Sequence, residues 1–174
     1  MWLKFKGRLI FLILGITAFV VAYSLGGAMD MSKEEAKKLK TEFDNNEMKN
    51  IDRNKIFLNN LVISLEMFIP GFGTGFGIFV GYSTGFASNA IAEESANHLS
   101  RATTFEELVK PFGLLEVFAY GLSISRSAMI IFPIMKKQRK LWKQYFVFLF
   151  IEIAIVVLVL LIAATWEWDT ITQL

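Results

Sequence analysis

Four ionisable side chains lie inside apolar segments of this 174-residue chain: Glu66, Glu116, Arg126 and Glu152. Charged groups are costly in hydrocarbon, so those found there usually pair with one another, line a path for protons or ions, or bind a ligand. These four residues are therefore the first candidates for chemistry, and the helices that carry them decide which can meet.

Arg126 and Glu152 are expected to form a buried ion pair. Arg126 lies nine residues before Met135, where one apolar segment ends, and Glu152 lies nine residues after Lys143, where the next begins. At 1.5 Å per residue both lie about 13 Å from the same end of two antiparallel helices. We expect the pair to lock the two helices together. A role in proton or ion movement and pairing with another subunit are the alternatives.

A second polar layer is expected at the opposite end of the helices. Its members each lie one to two helical turns from the end of an apolar segment: Asn59, Asn60, Asn89 and Glu116. Amide groups can donate hydrogen bonds to a carboxylate, so these residues predict a polar intramembrane cluster. It either joins helices or forms a small-solute or proton site. Glu66 lies near the other end and is expected to reach the interface.

Enzymatic chemistry is not expected. The chain has no cysteine, which excludes disulfides and iron–sulfur ligation, and His98 is its single histidine. Neither a Ser/His dyad nor paired aspartates nor a zinc motif occurs in the apolar segments. We predict no catalytic residue, no metal site and no cofactor, and no nucleic-acid motif is present.

The bulk composition predicts an all-α, polytopic membrane helix bundle that forms one membrane domain over residues 1–174. The chain is 54% hydrophobic, with a mean hydropathy of +0.47. About five transmembrane helices are expected, over residues 9–25, 56–69, 74–92, 111–135 and 145–165. The first could instead be a cleaved signal peptide. The second and third could form a re-entrant pair around Pro70.

Charge placement predicts the orientation. The basic loop Lys136–Lys143 and the basic residues before the first span favour a cytoplasmic N-terminus. Five spans then place residues 30–55 outside as an extracytoplasmic polar loop, in which Ser32 and Glu35 resemble a capping box. Trp166 and Trp168 predict an interfacial belt at the end of the last span.

Four glycines at a strict spacing of four residues run through the third apolar segment: Gly73, Gly77, Gly81 and Gly85. The next step of four reaches Asn89. Small residues at this spacing allow a second helix to approach closely in a membrane. The pattern therefore predicts a helix-packing ridge.

The chain resembles the stage II sporulation protein M family. The resemblance rests on Phe57-Leu58-Asn59-Asn60-Leu61, the glycine-rich span, Asn89, and Pro111-Phe112-Gly113-Leu114-Leu115-Glu116, and it covers about residues 56–127. The sequence departs from the family pattern at Phe112, where the family usually has His. The resemblance implies a multi-pass protein of the bacterial or archaeal cytoplasmic membrane. The named member belongs to a complex for septal remodelling during engulfment.

The leading hypothesis is a non-enzymatic membrane protein that serves as a subunit or scaffold of a larger complex. Its expected partners are the lipid bilayer and either other membrane subunits or further copies of itself. One alternative is a small homo-oligomeric transporter or channel component with a path touching Glu116, Asn59 and Asn89. Another is an accessory subunit of a membrane oxidoreductase, whose cofactors would belong to its neighbours.

Overall fold

Five long helices of alternating direction form a bundle in the computed structural model of the protein. The structure describes residues 6–30, 32, 34–35, 37–38, 41, 52–95, 106, 108–137 and 139–173, and no strand occurs among them. Six helices have defined bounds: α1 (Lys6–Gly27), α2 (Arg53–Met67), α3 (Phe72–Ser95), α4 (Pro111–Ala128), α5 (Ile131–Lys136) and α6 (Arg139–Thr172). The expected all-α class is thereby confirmed.

The two ends of the bundle differ in composition. The basic end is defined here by exposed Lys136, Lys137 and Lys143, and the tryptophan end by Trp166 and Trp168. Helices α1, α3 and α6 run from the basic end to the tryptophan end, whereas α2 and α4 run back.

Two of the described helices are long and apolar enough to cross a membrane, over Gly7–Gly27 and Leu141–Thr172. Helix α6 has 34 residues, which makes it about 51 Å long, compared with about 30 Å for a bilayer core. It is therefore longer at both ends than the expected span of 145–165. The number of five transmembrane helices stays a prediction.

The fourth apolar segment is not one continuous helix, contrary to the expectation for residues 111–135. Helix α4 ends at Ala128, and the short α5 begins at Ile131. Pro133 lacks the backbone N–H that would bond to the carbonyl of Met129, so a straight helix loses a hydrogen bond there. The chain turns instead, and the Met129 N–H donates to the carbonyls of Ser125 and Arg126 at 3.1 and 3.2 Å.

The break expected near Pro70 is confirmed, because α2 ends at Met67 and α3 begins at Phe72. Gly71 takes a φ of +79°, which L side chains rarely adopt. The Gly73 N–H donates to the Ile69 carbonyl at 2.8 Å, and a Cβ on Gly73 would overlap the Met67 backbone. Both glycines are therefore required by the tight turn between the helices.

The glycine ridge of α3 contacts more than one neighbour. Gly81 and Gly85 face α1, where a Cβ on Gly85 would overlap the Tyr23 carbonyl oxygen. Gly77 faces Ile124 of α4 instead. On the α1 side, Gly26 packs against α3, because a Cβ on Gly26 would overlap the Tyr82 carbonyl oxygen. Close approach of the α1 and α3 backbones thus depends on glycines from both helices.

Ser32 and Glu35 form the capping box expected from their spacing. The Ser32 N–H and hydroxyl donate to Glu35 Oε2 at 3.0 and 2.7 Å, and the Glu35 N–H donates back to the Ser32 hydroxyl. The hydrogen bonds from Ser32 lower the pKa of the exposed Glu35 carboxyl. Residues 42–51 of the predicted polar loop and His98 lie outside the described residues.

Candidate functional site

An ion-pair cluster of two arginines and one glutamate lies towards the basic end. Arg126 of α4 holds Glu152 of α6 with two hydrogen bonds, Nε to Oε2 at 2.6 Å and Nη2 to Oε1. Arg8 of α1 holds the same carboxylate, Nε to Oε1 at 2.6 Å and Nη2 to Oε2 at 3.0 Å. Each guanidinium thus presents a planar fork to one carboxylate, the strong geometry for such pairs. The sequence-based expectation paired Arg126 with Glu152 and missed Arg8.

The cluster is buried and its donors are largely satisfied. The side chains of Arg126, Glu152 and Arg8 are 4%, 9% and 18% exposed. Arg8 Nη1 also donates to the Ser125 hydroxyl at 2.6 Å, and Nη2 donates to the Leu122 carbonyl at 3.2 Å. Two positive charges share one negative charge, so the cluster joins three helices and keeps a net positive charge.

Arg8 could have been found from its position. It directly precedes Leu9, the first residue of the first apolar segment, and is one of the basic residues that predict a cytoplasmic N-terminus. A buried carboxylate has two oxygens and about four lone-pair sites, so Glu152 could accept a second guanidinium. The sequence does not determine the rotation of α1 about its own axis, and that rotation decides whether Arg8 faces lipid or Glu152.

The second polar group lies towards the tryptophan end and joins α2 to α4. Asn60 Nδ2 donates to Glu116 Oε1 at 2.5 Å, and the Tyr120 hydroxyl donates to Asn60 Oδ1 at 3.0 Å. The Asn60 amide therefore donates one hydrogen bond through Nδ2 and accepts another through Oδ1. Tyr120 was not among the expected members, although its spacing of four residues from Glu116 places both on one helix face.

Asn59 does not share this role with its neighbour. Its side chain is exposed, and no hydrogen-bond partner for it occurs among the described residues. Successive helical residues are turned by about 100°, so only one of the two amides can face Glu116. Glu66 is exposed and lies one residue before the end of α2, towards the basic end, and its interfacial position stays a prediction.

Asn89 does not join the Asn60–Glu116 group, contrary to the expectation of one polar layer. It is 4% exposed, and its Nδ2 donates to the Met29 carbonyl at 2.9 Å, just past the end of α1. Asn89 continues the face of Gly81 and Gly85, which packs against α1. Depth alone predicted a shared level, but the helix face directs this amide to a carbonyl left open at a helix end.

A cavity of about 750 Å³ opens beside the Asn60–Glu116 group. Residues from five helices line it. Its polar members include Asn59, Asn60, Glu116, Tyr120, Lys55 and Glu167, and its apolar members include Phe19, Ile63, Val80 and Phe112. Part of the expected polar site thus faces open volume. No group of three or more His, Cys, Asp or Glu suited to a metal ion occurs among the described residues.

Replacing Asn60 by Leu is expected to destabilise the protein more than replacing Asn59 by Leu. The first change leaves both the Glu116 carboxylate and the Tyr120 hydroxyl without their amide partner, at a cost of about 1–3 kcal/mol. The second removes no hydrogen bond between residues that the structure describes. Thermal unfolding of the two purified variants in one detergent would measure the difference, and equal melting temperatures would contradict the geometry described above.

The two long apolar helices and the buried ion-pair cluster indicate the class of protein: a helical, membrane-associated one. The chain matches the family model described as Stage II sporulation protein M over residues 8–167. The match covers most of the chain, so the protein belongs to that family. It extends well beyond the expected region of 56–127 and includes both the arginine–glutamate cluster and the cavity. Comparisons with curated proteins and with solved structures found no match.

Proposed function

We propose that this protein is a non-enzymatic, five-span protein of the cytoplasmic membrane that acts as a subunit or scaffold of a larger membrane complex. Its N-terminus and the basic end face the cytoplasm in this proposal. The exposed lysines of the basic end support the orientation, because positively charged residues are retained on the cytoplasmic side. Trp166 and Trp168 support a membrane–water interface at the tryptophan end of the bundle.

The observation that carries this proposal is an apolar layer between the two polar groups. Phe19, Met67 and Ile124 belong to one buried cluster, and each is at most 2% exposed. Phe19 lines the inner part of the cavity, and Ile124 lies on α4 between the cavity residue Tyr120 and Arg126 of the ion-pair cluster, so buried apolar side chains lie between the two polar groups. These buried apolar side chains, all among the described residues, thus lie between the cavity and the cluster, which favours a structural role over conduction by a single copy.

The position of α1 supports a retained first helix rather than a cleaved signal peptide. Arg8 binds Glu152, and Phe19 and Tyr23 lie in the main buried cluster. Gly15 also approaches α4 closely, since a Cβ there would lie 2.5 Å from the Gly121 carbonyl oxygen. Removal of α1 would expose these groups and leave Glu152 with one arginine.

A transporter or channel component is the second candidate, and the cavity is the observation that favours it. The cavity contains Glu116 and Asn60 and opens near one face of the bundle. Passage across the membrane would then require further copies or a second conformation that opens the apolar layer.

Affinity purification of the full chain from its native membrane in a mild detergent, followed by native mass measurement, tests the proposal. A tagged membrane protein of unrelated fold, expressed at the same level, is the control. Different subunits in fixed stoichiometry with this chain would support the proposed role. A homo-oligomer alone would favour the second candidate, and a monomer without partners would contradict both.

A further inference from the structure

The surface of the basic end carries an excess of positive charge. Its three exposed lysines form no ion pair with any residue that the structure describes: Lys136, Lys137 and Lys143. The sequence has no Asp or Glu between Glu116 and Glu152. Glu152 is already bound by two arginines. Among the described residues, Glu66 at the end of α2 is thus the exposed acidic residue of this end.

The buried ion-pair cluster adds to this positive charge. Arg8 and Arg126 share one carboxylate, so the cluster keeps one positive charge in excess. Tyr145, two residues after Lys143 on α6, donates a hydrogen bond to the Arg126 carbonyl at 3.3 Å. Arg126 therefore lies beside the part of α6 that carries the lysine. A buried charge is screened less by salt than an exposed one, and the two sources of positive potential add at this end.

Apolar side chains are exposed directly beside these lysines. In α5, Ile131, Ile134 and Met135 are exposed, and their spacing places them on one helix face. In α6, exposed apolar residues follow Lys143 by three to seven positions, about 5–10 Å further along the helix into the bundle: Phe146, Val147 and Phe150. Along α6 the positive charge therefore lies outside and the apolar surface inside, the order in which phosphate and acyl chains occur in a phospholipid.

The charge of the basic end narrows the class of phospholipid. A lysine ammonium binds phosphate as a point charge. A zwitterionic headgroup brings a positive charge of its own, whereas an anionic headgroup does not. Lysines close to a membrane surface therefore favour lipids with a net negative charge. An acidic protein surface would also pair with the lysines, but the exposed apolar residues beside them favour acyl chains.

We propose that the basic end binds phospholipids with a net negative charge, with the phosphate at Lys136, Lys137 and Lys143 and the acyl chains along α5 and the first part of α6. The proposal rests on the proposed membrane placement and is independent of the subunit role. The orientation argument uses these lysines as topology signals during insertion. Here they select the lipids that surround the folded protein.

Lipid retention on the purified full chain tests this assignment. The protein is placed in nanodiscs with equal amounts of dioleoyl-phosphatidylglycerol, dioleoyl-phosphatidylserine and dioleoyl-phosphatidylcholine, and native mass spectrometry records the lipids that stay bound. The first two share a net negative charge but differ in headgroup structure, so enrichment of both reports charge. We expect each to be retained about fivefold or more over phosphatidylcholine, the ratio given by one lysine near an anionic surface.

Two sets of three substitutions separate the basic end from the overall charge. Because the lysines of the basic end are exposed, their replacement should leave the fold intact, while the preference should fall to about half or less: Lys136→Gln, Lys137→Gln and Lys143→Gln. Arginine at the same three positions should keep the preference. The matched control changes the net charge equally at exposed positions between α1 and α2 and at the start of α2, and should also keep it: Lys37→Gln, Lys38→Gln and Arg53→Gln.

Three results would overturn the proposal. They are equal retention of all three lipids by the wild-type chain, an unchanged preference after the three lysine substitutions, and an equal loss in the matched control. A protein partner lost from the native assembly in the lysine variant, without any lipid preference, would assign the basic end to an acidic protein surface instead. A chain that fails to enter nanodiscs would contradict the membrane placement, and this proposal with it. A chain that enters them without preference would contradict the lipid assignment alone.

Discussion

Replacing Glu152 by Gln is expected to lower the free energy of unfolding by roughly 3 kcal/mol or more, the usual cost of removing one partner from a buried ion pair. We expect the loss to reach at least this value, because Glu152 is the carboxylate that binds both guanidinium groups, those of Arg8 and Arg126. Glutamine keeps the volume but leaves two buried positive charges close together. Equilibrium unfolding in detergent, with Glu66→Gln as the exposed control, measures the loss.

The two arginines offer a further comparison. Arg8→Leu and Arg126→Leu each leave one arginine paired with Glu152, so each should destabilise the protein less than Glu152→Gln. The double variant Arg8→Leu with Glu152→Gln should recover part of the loss, since it removes one of the two unpaired charges. Equal stability of Glu152→Gln and the wild-type protein would argue against the ion-pair cluster.

Replacing Gly85 by Leu is expected to have the second large effect, a destabilisation of about 2 kcal/mol or more through overpacking. A Cβ at this position would overlap the carbonyl oxygen of Tyr23, and it would also lie 2.8 Å from the Tyr23 carbonyl carbon and 3.0 Å from the Gly27 nitrogen. Backbone atoms of α1 cannot rotate away as a side chain would, so the two helices must separate. Thermal unfolding and yield of folded protein in detergent report the result.

Gly75→Leu is the matched control for this prediction. Gly75 lies on the same helix, and a Cβ there meets nothing within 4 Å. Gly81→Leu should also be harmful, since its Cβ would lie 2.9 Å from the Phe19 carbonyl oxygen. If Leu were tolerated at Gly85 as well as at Gly75, the close approach of α1 and α3 would be wrong.

Much of the fold could be predicted because hydropathy and turn chemistry act locally. Apolar segments became helices, Pro70 with Gly71 separated α2 from α3, and Ser32 with Glu35 formed a capping box. The exception, the end of α4 at Ala128, was also readable in principle. Pro133 lies inside the apolar run, and its missing N–H outweighs the hydropathy that suggested one helix.

The candidate site was predicted only as far as depth along the membrane could decide it. Counting residues from segment ends placed Arg126 level with Glu152, and Asn60 level with Glu116, and the structure brings each pair into contact. The same count placed Asn89 in the second group, but its side chain contacts the end of α1. A residue number fixes height in a helix, whereas contact also requires the side chain to face its partner.

The sequence by itself therefore determined the membrane-associated helical class, the family, the turns and the heights of the polar groups, since each depends on local composition and on a constant rise per residue. Only the tertiary structure decided how each helix is rotated about its axis. These rotations place Arg8 against Glu152 and Tyr120 against Asn60, and they make Glu116 line the cavity. Those rotations arise from packing between segments far apart in the chain, such as the glycine contacts of α1 with α3, and no local pattern encodes them.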